Sequence, residues 1–163
     1  MPNWISNFLR LKYIDGLDVG ATQFREWINQ NTTTSDGNVE LDFSCTVPQG
    51  LSADVDWNIA NWGCKWNASE THIDESRCLI IFSTPWTCPY DWICASVNRY
   101  PELEFNLKWY DEDFPECGSF QKSKTVHIDH YYSGDEGEEF MKIEFPEIYK
   151  QHKEDEDEEE LSI

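Results

Sequence analysis

Apolar and polar positions alternate along several stretches of the chain, and the period changes from one stretch to the next. Leu103, Phe105, Leu107 and Trp109 interleave with Glu102, Glu104, Asn106 and Lys108, a period of two that predicts a strand with one buried face. Trp4 to Ile14 alternates in part, around Phe8, Arg10 and Lys12, and predicts a second strand, ended by Asp15-Gly16. Between 21 and 30 the period lengthens: Phe24, Trp27 and Ile28 recur at helical spacing, as in an amphipathic helix laid on a sheet. The polar run Asn31 to Gly37 reads as a loop. Val39 to Phe43 alternates and reads as a short strand or extended segment leading to Pro48.

Asp54 stands before helix-compatible residues running to Ile59, with Gly63 beyond as a stop. Residues 69–73 and 78–83 predict a hairpin tipped by Asp74-Glu-Ser-Arg77, with Leu79 to Phe82 apolar enough for a central strand. Pro89 opens a helix through Arg99 that buries Trp92, Ile93 and Val97. The order reduces to β-α-β-β-α-β, the ferredoxin-like arrangement of an α+β protein: an antiparallel sheet with both helices on one face. Phe120 to Lys124 and Val126 to Tyr132 add a C-terminal β-hairpin. One more strand is expected around Phe140 to Phe145. Residues 1–150 are therefore expected to form a single domain.

Charge changes the picture at the carboxyl end. The 163 residues carry 32 acids and 12 Lys or Arg, a net −20. From Gly134 to Ile163 there are 13 acids and three bases, so half of the excess lies in the last 30 residues. The block Lys153 to Glu160 repels itself, and 151–163 are expected to be a disordered acidic tail. A field of this sign repels phosphate backbones and anionic lipid, and it attracts basic surfaces. Direct nucleic-acid and membrane binding are therefore not expected. No basic-then-apolar leader opens the sequence, and no run approaches the roughly 20 apolar residues of a membrane helix. The expected location is the cytoplasm, with the six cysteines as reduced thiols.

Candidate chemistry is sparse. No paired Cys-x2-4-Cys spacing points to zinc; His127 and His130 on a strand would face opposite ways. Neither a nucleophile elbow nor a phosphate-cradling glycine loop occurs. No metal, cofactor or catalytic residue is expected, and the chain reads as a binding protein.

Met1-Pro-Asn-Trp4 with Asn7, Asn61-Trp-Gly-Cys-Lys-Trp-Asn67, Phe82-Ser-Thr-Pro-Trp86 and Tyr100-Pro-Glu-Leu-Glu-Phe105 resemble the YubB-type ferredoxin-like proteins of phages and plasmids. The resemblance covers about residues 1 to 110. It implies a ferredoxin-like fold and a mobile-element setting in a host cell, and it supplies no reaction. Combined with the charge, it leads to the expectation of an inhibitor or modulator that binds a basic, nucleic-acid-binding host protein through a DNA-mimic-like acidic surface. Asp111, Glu112, Asp113, Glu116, Asp135, Glu136, Glu138 and Glu139 are the candidate contacts on the folded part, joined by the tail. The other reading is a small-ligand sequestering or sensing module with a pocket formed by Trp62, Lys65, Trp66 and Trp86. In the blander reading those tryptophans belong to the core.

Overall fold

A computed structural model describes residues 3–163. The strongest alternation in the sequence becomes β6 (Leu103–Asp111), which pairs antiparallel with β1 (Trp4–Tyr13). On its other side β1 pairs antiparallel with β5 (Leu79–Pro85), and β5 pairs with β4 (Ser69–Asp74). β7 (Cys117–Lys122) and β8 (His127–Tyr132) extend the sheet beyond β6 as the expected hairpin. The strand order is therefore β4-β5-β1-β6-β7-β8, antiparallel throughout. The first four of these strands, with α1 (Ala21–Asn31) and α3 (Tyr90–Arg99), form the ferredoxin-like unit.

Alternation decides which side chains meet the helices. Ile5, Leu9 and Leu11 of β1 and Leu103, Phe105, Leu107 and Trp109 of β6 turn to one face. They pack there with Phe24, Trp27 and Ile28 of α1 and Trp92, Ile93 and Val97 of α3. Both helices thus lie on the same side of the sheet. Short helix α2 (Val55–Trp62) joins them through Trp62, and it is bounded as its sequence requires. The Asp54 carboxylate accepts from Trp57 N at its start, and Gly63 ends it at φ 85°, where a β-carbon would stand only 3.0 Å from the Tyr90 backbone nitrogen at the start of α3. Asp54→Ala is expected to lower stability by about 1 kcal/mol, read as a shift of the urea midpoint at constant slope.

Three segments differ from expectation. The polar run after α1 is β2 (Thr32–Ser35), hydrogen-bonded to β3 (Asn38–Leu41). Asp36 and Gly37 both take positive φ between them, the two-residue turn that favours a hairpin over a loop. Residues 134–144 are helix α4 (Gly134–Glu144), not a strand around Phe140 to Phe145. Gly137, Met141 and Phe145 recur every four residues, and that stripe seats the chain on the sheet's second face, with Cys117, Phe8 and Tyr110. The expectation of helices on one face therefore holds for α1 and α3, while α4 covers part of the other.

The acidic tail is also ordered differently: Pro146–Leu161 is helix α5, not a disordered segment from 151. Pro146 starts it, and side-chain contacts hold its first half. Lys153 reaches Glu138 of α4 at 3.3 Å and Glu156 at 2.9 Å, while His152 packs on Phe114 with ring centroids 4.0 Å apart. The acids beyond Glu154 oppose the helix dipole, so the exposed carboxyl end is the least stable part.

Candidate functional site

Among the aromatics singled out from the sequence, Trp62 is a core residue. It is 1% exposed, lies edge-on to Phe43 and Trp57, and donates its indole N–H to the Val47 carbonyl. Trp66 and Trp86 are 41% and 50% exposed. The Lys65 ammonium lies over both, 4.6 Å from the Trp66 ring and 4.3 Å from the Trp86 ring. The structure thus separates the four residues into a buried Trp62 and a surface cation held between two indoles.

Trp86 has a second environment. Its backbone takes φ 70°, in the left-handed region, where a bulky residue is strained by roughly 1–3 kcal/mol. Its N–H donates to the Asn3 carbonyl, fixing this conformation at the end of β5. Held in this way, Trp86 walls a hollow of about 180 Å³ together with Tyr90, Trp109 and Tyr131. Asp111 and Glu116 supply its charge. The hollow exists because β6, β7 and β8 pair side by side, with Gly118 opposite both Trp109 and Tyr131 in the two registers. Strand pairing alone brings Trp109 and Tyr131 within 6.0 Å of each other.

The acids after β6 have different roles. Asp111 is 8% exposed and accepts the backbone N–H of Asp113 at 2.8 Å. Burial raises its pKa above the ordinary carboxylate value, and the charges of Asp113, Glu116 and Glu112 push the same way. The Asp113 N–H opposes that rise, and among the described residues no Lys, Arg or His forms an ion pair with Asp111. Glu112 accepts the backbone N–H of Trp4, and Asp113 accepts from the Asn3 amide. These two carboxylates therefore tie the start of β1 to the turn after β6. Glu116 stays exposed at the rim of the hollow.

The α4 acids lie elsewhere. Asp135 and Glu136 occupy the first turn of α4, where they complement the positive end of the helix. Glu138 binds Lys153, and Glu139 is exposed. α4 rests on the second face of the sheet through Met141. The structure thus brings Asp111 and Glu116 together with Trp86, and it places Asp135 to Glu139 on a separate surface. Sequence reasoning missed Tyr90, Trp109 and Tyr131, whose convergence depends on strand order.

All six cysteines are free, and burial raises the thiol pKa of Cys64 to about 12 and of Cys117 to about 11. Among the described residues, no group of three or more His, Cys, Asp or Glu is placed to hold a metal ion, and no helix is long and apolar enough to cross a membrane.

Neither the curated proteins nor the solved structures include a match to this chain. A family model described as the ferredoxin-like domain in Api92-like protein matches residues 65–161, which run from the loop after α2 through α5 and leave everything from β1 to α2 outside. That span exceeds half of the 163 residues and includes most of the sheet, and the chain belongs to this family of ferredoxin-like domains.

Proposed function

We propose that this is a non-enzymatic binding protein that docks a basic partner protein by taking one Lys or Arg side chain into the hollow of Trp86, Trp109 and Tyr131. The observation that carries this reading is a buried carboxylate, Asp111, with no ion-pair partner among the described residues, in a hollow walled by aromatic rings. Such a setting attracts a cation twice, through the carboxylates and through the ring faces. Its volume also bears on the choice of occupant. About 180 Å³ falls below the roughly 300–1,000 Å³ of small-molecule sites, so a side chain anchored by a larger interface fits better than a free metabolite.

The net charge of −20 supports the same reading by drawing a basic partner in from a distance. With the YubB-type resemblance, the setting is a phage or plasmid and the partner a nucleic-acid-binding protein of the host cytoplasm, whose basic groove the acidic surface would occupy. Inhibition or modulation of a defence protein follows from that setting.

The test uses the intact protein with arginine-rich and lysine-rich peptides of equal charge, followed by tryptophan fluorescence. Asp111→Asn with Glu116→Gln is expected to lower affinity tenfold or more. Trp86→Ala should do the same, while neutralising Glu158 to Glu160 should mainly slow association, and more so at low salt. Binding should weaken as pH falls, starting above the ordinary aspartate range, because the bound cation needs Asp111 charged and its carboxyl protonates early. Unchanged affinity in the Asp111 and Glu116 variant, with salt-independent association, would refute the reading.

A further inference from the structure

Cations are scarce in this chain, yet four of its 12 Lys and Arg residues meet in one place. On the sheet face opposite α1 and α3, beside the part that α4 covers, Arg10, Lys12, Arg77 and Lys108 wall a groove of about 480 Å³. Phe8, Leu79 and Phe145 give it an apolar floor, and Asn106 adds an amide. The register explains the gathering. Arg10 lies between Leu79 of β5 and Asn106 of β6, and Phe8 lies between Ile81 and Lys108. Alternation on β1 then sets Lys12 on the same face as Arg10, roughly 7 Å along the strand.

Not all of this charge is open to a ligand. Lys108 pairs with Glu144, and Arg77 lies 3.8 Å from Asp74. Arg10 and Lys12 make no ion pair among the described residues. Lys12 stands opposite Glu104, whose carboxylate accepts from the Asn106 amide at 3.0 Å. Arg10 faces no acid in either neighbouring strand. Arg10 and Lys12 also wall an adjoining hollow of about 300 Å³ that contains Asp18, so they form a ridge between two concave surfaces.

We propose that this groove binds a phosphomonoester of nucleotide size, with the phosphate on Arg10 and Lys12 and the base over Phe8, Leu79 and Phe145. Two cations outside any ion pair among the described residues, Arg10 and a Lys12 that stands between Glu104 and Asp18, match the near-dianion that a phosphomonoester carries at neutral pH. Arg10 adds a planar fork suited to phosphate oxygens. The apolar floor adds area for a base, and the volume lies within the range of small-molecule sites. A nucleic-acid strand suits it less: each diester carries one charge, and a chain of net −20 repels a polyanion along its whole length. This site lies across the sheet from the Asp111 hollow and stands independently of it.

Isothermal titration of the full chain with AMP is expected to show saturable binding. Arg10→Gln with Lys12→Gln should weaken it tenfold or more while leaving the unfolding midpoint in place, since both side chains lie on the open face. Adenosine and inorganic phosphate should each bind at least tenfold more weakly than AMP. Asp111→Asn with Glu116→Gln should leave AMP affinity within twofold. Absence of saturation, equal AMP affinity in the Arg10 and Lys12 variant, or tighter binding of a ten-residue single-stranded thymidine oligonucleotide would each overturn the assignment. If the double variant fails to fold, Lys12→Gln alone decides, with a threefold or greater loss expected and an unchanged affinity overturning the proposal.

Discussion

Trp92→Ala is expected to destabilise the protein by about 3–5 kcal/mol, the range for truncating a large buried aromatic. Trp92 is fully buried on α3, with its ring centroid 4.7 Å from Phe43 and 6.4 Å from Trp27. Removing it leaves a cavity between α1, α3 and the sheet that surrounding rings cannot fill without leaving their rotamers. A domain of this size has about 5–15 kcal/mol of stability in all, so the loss is about a fifth of it or more. Trp92→Phe should cost much less, because among the described residues the indole N–H has no hydrogen-bond partner to lose and most of the ring contact remains. Urea titration of both variants checks this. A Trp92→Ala loss below about 1 kcal/mol would show that the aromatic cluster is not the centre of the core.

Gly137→Ala is the second large effect, and its sign is the opposite of what propensity alone would give. Alanine is favoured over glycine inside a helix by roughly 0.8–1.0 kcal/mol. A β-carbon at 137, however, would stand 2.3 Å from the Pro115 carbonyl oxygen, far inside contact distance, and the obstacle is backbone. α4 must lift from the turn after β6, and Met141 and Phe145 then lose their seat against Cys117 and Phe8. Overpacking of this kind costs about 1–3 kcal/mol, which exceeds the propensity gain. The expected result is a net loss, with hydrogen exchange accelerated in α4 and α5 before the ferredoxin-like unit. A more stable Gly137→Ala protein would mean that α4 does not pack closely at this point.

The two variants probe the two faces of the sheet, and these faces were unequally legible in the sequence. The first face was readable because β1, β5 and β6 each bury alternate residues and α1 and α3 carry bulky apolar groups at helical spacing. The second face was not, because its key position is a glycine. Gly137 contributes nothing to an apolar count, so Phe140, Met141, Ile143 and Phe145 alone look as much like a strand as a helix. In α5, like charges hid local pairs such as Lys150 with Glu154 and the contact of His152 with Phe114.

Both proposed sites depend on partners that are distant in sequence. Asp111, Glu116 and Trp86 were candidates from the start, but Trp109 read only as a core residue of β6 and Tyr131 as part of a hairpin. Only the order β6-β7-β8 places them on one hollow. Likewise, Arg10 and Lys12 lie more than 60 residues from Arg77 and meet it only because β5 pairs beside β1. The scarcity of cations, evident from composition, concealed their concentration.

β8 ends the sheet, and among the described residues no strand lies beside its outer edge. Five of its six residues are exposed, with Ile128 and Tyr131 among them, and none is proline. Such an edge is a template for another copy of itself. Mutual repulsion opposes such pairing, so the protein is expected to stay dispersed at neutral pH and to become self-adhesive along this one seam as the solution approaches the isoelectric point near 4.3.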